Sequence, residues 1–294
     1  MAEAEGPEAV REVAQAEDCG VQSPVGRFEK RTEGSVDGDD GHEDFAMTKE
    51  PSMRVTGNRL WLAAALVAVS FWPGVAVAAS TITGIVTFDG KAPALRPIAM
   101  DADPDCAKKH SAPVANEMLT LGTGNTMGSV MVFVSKGLPA GKTWPAPTTP
   151  VVIDQKGCQY LPHVMGIMVG QPYKILNSDG FLHNIHTLPK INASFNKGMT
   201  ATVKEVTTTF PKSEAMFNIK CDVHPWMSAY LGIFTNPFFS VSGTDGKFTI
   251  SGLDAGTYEI TAWHERLGMQ TASITVGASD TKTQGFKFAM PAAK

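Results

Sequence analysis

Apolar and polar residues alternate along this chain over short stretches, and a helical period is almost missing. Thr81 to Phe88 alternates and ends at Asp89-Gly90, the pattern of a strand closed by a turn. Val130 to Val134 is an unbroken apolar run, as a strand buried on both faces would be. Between them, residues 91–127 are irregular and rich in Pro, Asp and Ala, and 137–150 has the composition of a linker. From Val151 onward the pattern predicts short strands at 151–153, 164–169, 172–177, 181–187, 201–208, 215–220 and 229–234, separated by turn residues. Phe238 to Val276 adds three more, with Asp245-Gly246 as a tight hairpin turn and Gly252 to Gly256 as a second connection. The expected fold is therefore all-β, built from β-sandwiches.

Charge changes the picture at the N-terminus. Residues 1–52 carry fourteen acidic and five basic side chains, whereas the rest carries fifteen and twenty. A Gly/Ser-rich acidic stretch almost free of aromatics cannot bury enough surface to fold, so 1–52 is expected to be a disordered leader. Over 53–79 a short basic start (Arg54, Arg59), the apolar run Leu60 to Val69 and the small residues Ala76 to Ala79 follow one another. That is the form of a secretory signal peptide, cut after Ala78 or Ala79, with translation starting at Met47 or Met53. The rival reading, an uncleaved anchor, needs an apolar run of about 20 residues. The expected destination is periplasmic or secreted, with no membrane span after cleavage. The mild charge balance excludes nucleic acid as a partner.

Export makes the cysteines informative. Cys106, Cys158 and Cys221 lie beyond the signal segment, an odd number for an oxidising compartment. The allocation is a disulfide between Cys106 and Cys158, leaving Cys221 for other work. Cys221 opens the run Cys221-Asp-Val-His224-Pro-Trp-Met227, which places a thiolate, an imidazole and a thioether within seven residues. A blue-copper site needs two imidazoles and a thiolate with a weak axial thioether. The second imidazole must come from Phe181-Leu-His183-Asn-Ile-His186. Alternation sets His183 with Ile185 on one face and Asn184 with His186 on the other, and the apolar Ile185 marks the His183 face as buried. Zinc also accepts Cys and His, but a thioether suits copper better. Singly, Cys221 or Met227 would be an ordinary core residue.

Leu182-His183-Asn184-Ile185-His186 followed by Cys221-x-x-His224-Pro-Trp-Met227 resembles the cupredoxins, amicyanin in loop length and pseudoazurin more loosely. The resemblance covers about 150–235. It implies a cupredoxin Greek-key β-sandwich, one type 1 copper on His183, Cys221, His224 and Met227, and Asn184 tying the two ligand segments together. Thr244 to Glu265 is similar to the carboxypeptidase regulatory-like (transthyretin-like) sandwich, and Thr81 to Gly90 to its opening strand. The whole is similar to bacterial methylamine-utilisation-like proteins. Implied domains are 80–149 (early strands and linker), 150–235 (cupredoxin) and 236–294 (late strands), the cupredoxin inserted into a second, smaller sandwich. The implied function is one-electron transfer with a redox partner protein, a dehydrogenase or a cytochrome, through a His224 edge near the surface and a Pro225–Trp226 docking patch. Copper carriage or storage, and a non-redox cell-surface binding module, are the alternatives. No nucleophile–base pair argues for an enzyme. His163, His264 and Glu265 stand without an assigned role, and Asn192-Ala-Ser194 is a glycosylation sequon.

Overall fold

The computed structural model describes residues 79–291. The leader expected over 1–52 and all but the last residue of the signal segment expected over 53–79 lie outside them. Among the described residues no helix is long and apolar enough to cross a membrane.

The architecture is all-β, as the alternation predicts. Four sheets pair into two sandwiches. In the first, one sheet runs in the order Val164–Met168, Ser228–Phe234, Glu214–Lys220, His183–Thr187, Asn196–Met199. The other runs Gln159–Leu161, Val151–Lys156, Tyr173–Asn177, Glu205–Thr208. Between them lies a core that includes the fully buried Ile153, Ile175, Ile185 and Ile219. In the second sandwich, Met131–Lys136 sits between Phe239–Val241 and Gly256–His264, with Gly268–Val276 outside. Ser80–Asp89 is joined by Lys247–Leu253, Thr281–Thr283 and Phe286–Ala289. Strands before residue 137 thus pair with strands after residue 238, and those between form sheets of their own.

Local sequence explains most of this. In Ser80–Asp89 burial alternates strictly, so Ile82, Val86 and Phe88 enter the core while their neighbours face out. Position 84 falls on the inward side and holds glycine, since a Cβ there would come within 1.9 Å of the Gln284 carbonyl oxygen. A third apolar cluster, Met131, Val164 and Phe234 with Phe133, Tyr230 and Trp263 against them, joins the two sandwiches. Gly166 permits that contact, since a Cβ would meet the Phe239 ring at 2.7 Å.

Departures from the expected strands have physical causes. The strand expected over 201–208 begins only at Glu205, because residues 201 and 202 make a turn. Asn196–Met199 is short and without alternation, and forms by pairing with His183–Thr187. Residues 98–114, irregular in sequence, carry Ile98, Met100, Cys106 and Val114 into the first sandwich's core. An Ile98–Val114 bridge and a Cys106–Cys158 disulfide hold them there.

Ile219 is 0% exposed beside the candidate site. Ile219→Ala is expected to lower the unfolding free energy by about 2–5 kcal/mol, from lost burial plus the cavity left behind. Urea denaturation measures this, and a loss below about 1 kcal/mol would mean that this core is loosely packed.

Candidate metal centre

Strand Glu214–Lys220 delivers Cys221 at its end, and the loop beyond it folds back on itself. The Met227 amide donates to the His224 carbonyl at 2.9 Å and the Cys221 amide to the Met227 carbonyl at 3.3 Å. The neighbouring antiparallel strand brings His183 to the same place, with His186 opposite Lys220. His183, Cys221 and His224 are buried, with ligand atoms all within 4.8 Å of one another. Met227, at the end of the same loop, is 1% exposed. His186 lies outside the group, hydrogen-bonded at 3.0 Å to the exposed Asp222.

The sulfur is held as an acceptor. Backbone amides of Asn184 and His224 donate to Cys221 Sγ at 3.3 and 3.4 Å. Burial pushes the Cys221 thiol up, but the His183 hydrogen bond and these amides outweigh it and bring it down to about 7. Asn184 ties the two ligand segments together. Its Oδ1 accepts from the Asp222 amide at 3.0 Å and its Nδ2 donates to Asn196 at 2.6 Å.

Each imidazole is gripped from behind by a carboxylate. His183 Nε2 lies 2.9 Å from Asp179 Oδ2, and His224 Nε2 lies 3.0 Å from Asp103 Oδ2. An ionised carboxylate only accepts, so each Nε2 carries a proton, and in a neutral imidazole that leaves Nδ1 with a free lone pair. The two Nδ1 atoms are 3.0 Å apart and face Cys221, whose Sγ is 3.7 Å from that of His224. Two such lone pairs and a thiolate converging in a dry site repel one another unless a cation lies among them, a proton on His183 Nδ1 in the metal-free chain or a metal ion in its place. The donor set therefore fits a soft metal ion, and the carboxylate–imidazole pairs are the usual outer support of such a site.

Asp179 is itself well anchored. It accepts from the Gly157 and Cys158 amides, both at 2.8 Å, and pairs with Lys109. Burial pushes its carboxyl up, yet the bonds from His183, Cys158 and Gly157 hold it well below the usual carboxylate range. Asp103 caps the short helical turn Pro104–Ala107, accepting from the Asp105 amide at 2.9 Å. The disulfide pins that turn to the first sandwich through Cys106.

One expectation is overturned. The His224 ring edge, expected near the surface, is 1% exposed, because Asp103 covers Nε2. Pro225 is exposed and Trp226 half-buried, the Trp226 ring lying 5.2 Å from the His224 ring. Sequence reasoning missed Asp103 and Asp179 altogether. A signal existed for the first, since Asp-Pro-Asp-Cys has the form of a helix cap with proline next to it. The sequon residue Asn192 is buried, its Nδ2 donating to the Lys212 carbonyl at 2.9 Å.

Comparisons with known proteins do not fix the family of the chain. Residues 238–284 match the family model for polysaccharide lyase family 4, domain II. That stretch contains Thr244 to Glu265, the run similar to the carboxypeptidase regulatory-like sandwich. None of the curated proteins matches the chain in sequence. Among solved structures it is similar to the copper-containing nitrite reductase of Thermus scotoductus SA-01, at 19% identity and a TM-score of 0.27. That match covers 35% of this chain and 26% of the reductase, so the chain spans about a quarter of that relative. It is also similar to the Cu(I) form of an amicyanin variant, at 17% identity over 35% of this chain and 97% of that one, TM-score 0.26. The oxidised state of another amicyanin variant matches at 17% identity over 36% of this chain and 98% of that one, TM-score 0.26.

Proposed function

We propose that this is an exported type 1 copper protein that carries one electron at a time and is not itself an enzyme. The observation that carries the reading is the pair of imidazoles, each with its Nε2 proton committed to a carboxylate and its Nδ1 turned to Cys221. His183, Cys221 and His224 would hold the copper, with the Met227 thioether as a weaker fourth donor. Bound there, copper would supply reversible one-electron chemistry. The chain's part is to keep both imidazoles in one tautomer, to present a thiolate near neutral pH and to exclude water. Zinc is the poorer fit because Met227 offers a thioether. A redox partner protein, a dehydrogenase or cytochrome, completes this reading, as does a periplasmic or secreted location.

A second reading, copper carriage or storage, is favoured by one specific feature. With His224 covered by Asp103, the usual close approach of a partner to the ligand edge is blocked. One experiment addresses both. Purified protein given Cu(II) is expected to turn blue, to bleach with ascorbate and to recover its colour on reoxidation over repeated cycles. Tight Cu(I) binding without recovery would favour the carrier, and no blue band at all would end the type 1 assignment.

A further inference from the structure

Beside the metal loop lies a second constellation that the copper reading does not use. A cavity of about 330 Å³ opens where the two sandwiches meet, lined among others by Glu117, His163, Trp226, Tyr230, Glu265 and Arg266. It joins three residues far apart in sequence: His163, Glu265 of the Trp-His-Glu run, and Glu117 of the irregular segment.

His163 Nε2 lies 2.6 Å from Glu265 Oε1, and His163 Nδ1 lies 3.0 Å from the Ser228 carbonyl, with Glu117 Oε2 at 3.6 Å. Both ring nitrogens thus face acceptors only, the surroundings of an imidazolium. Burial lowers the His163 pKa, but Glu265 and Glu117 more than reverse this, so the net direction is upward. The walls then carry two negative groups, Glu117 and Glu265, and two positive ones, His163 and Arg266. A cationic ligand meets His163 and Arg266, and an anionic one meets the two carboxylates. Neither sign is favoured, so the wall suits a neutral molecule.

Two features refine the class. Glu265 gives Oε1 to His163 at 2.6 Å, whereas Glu117 makes only a longer contact to that imidazole, at 3.6 Å to a nitrogen already engaged with Ser228, and is approached besides by Gln159. Burial raises the Glu117 carboxyl more than its neighbours lower it, so an O–H donor from a ligand would relieve a costly desolvation. Trp226 and Tyr230 add flat aromatic surface, which prefers a stacked or edge-on ring. The volume is at the low end of ligand pockets, which run about 300–1,000 Å³, and suits one ring.

We infer that this cavity binds a small neutral hydroxylated aromatic, a phenol or hydroquinone, with its hydroxyl on Glu117 and its ring against Trp226 and Tyr230. The site goes beyond the copper reading and does not depend on it, although Trp226 belongs to the same loop as His224.

The test uses the whole exported protein, copper-free, titrated calorimetrically with 4-methoxyphenol and, at similar size, benzylammonium, benzoate and phenylalanine. Expected is one-to-one binding of 4-methoxyphenol, at least tenfold tighter than the other three, and weakened at least tenfold by Glu117→Ala and by Tyr230→Ala. Glu117 lies in an irregular segment, so its replacement spares the fold, which circular dichroism checks. Absence of phenol binding, tighter binding of a charged or zwitterionic probe, or indifference to both substitutions overturns the inference. Blue colour is read separately on copper-loaded protein. Phenol binding without a blue band would remove the copper assignment and leave this one, and the converse result would do the opposite.

Discussion

Cys221→Ser is expected to abolish the blue absorption of copper-loaded protein completely while leaving the fold in place. The colour of a type 1 centre arises from thiolate-to-copper charge transfer, and a serine hydroxyl supplies neither the soft donor nor the transition. The fold survives because the loop is closed by backbone bonds, Cys221 to Met227 and Met227 to His224, that serine keeps. The imidazoles separate in the same assay. His183 is fully buried and its Nδ1 faces that of His224, so His183→Gly should open the metal to water or added imidazole and change the spectrum. His186 bonds to Asp222 away from the group, so His186→Ala should leave the band nearly unchanged. Visible absorption, with far-ultraviolet circular dichroism as control, reads all three. A bleached His186→Ala beside a blue His183→Gly would mean that the ligand-strand assignment is wrong.

The strands were legible wherever one face is wet and the other dry. Ser80–Asp89 alternates in sequence and in burial alike. Legibility failed where pairing, not alternation, makes the strand. Asn196–Met199 has only Met199 buried and exists because His183–Thr187 offers it a partner. Thr281–Thr283 is wholly exposed and lies parallel to Ser80–Asp89, a pairing distant in sequence that no local pattern encodes.

The candidate ligands were legible for a related reason. Cys221, His224 and Met227 lie on one loop, where spacing is geometry, and His183 follows from strand parity. What surrounds them was not, because Asp103 reaches His224 across 121 positions of sequence and Glu117 reaches His163 from outside its own strand and its neighbours. Both come from the irregular segment between the first two strands, which has no periodicity to place it. The buried His224 edge was misjudged for that reason: its cover is a capped helical turn held by a disulfide, outside the stretch that resembles a cupredoxin.

Asp179→Asn is expected to weaken copper binding by about 10–100-fold, the usual cost of losing a group that orients a metal-ligating histidine. The cause is a clash of donors whichever way the amide turns. Asp179 Oδ2 accepts from both the Cys158 amide and His183, and Oδ1 accepts from the Gly157 amide beside Lys109. With its oxygen on Gly157, an asparagine sets its amide nitrogen against the His183 Nε2 proton, which would have to move to Nδ1, the atom needed by the metal; with its oxygen on His183, the nitrogen meets the Gly157 amide and Lys109. Asp103→Asn should cost less, because that side chain is 33% exposed and water can take its place. Competition with a Cu(I) chelator ranks the three proteins, and an Asp179→Asn variant that binds as tightly as the unchanged chain would remove this aspartate from the site. The metal-free protein gives a second readout. The Asp179 carboxyl is held below its ordinary value, so its contribution to stability is present above about pH 3.9 and is lost as the pH falls through the lower, folded value. The unchanged chain should therefore lose more stability than Asp179→Asn between about pH 5 and pH 2, measured by denaturant unfolding at each pH. Equal losses would mean that Asp179 is not ionised against His183 in the folded state.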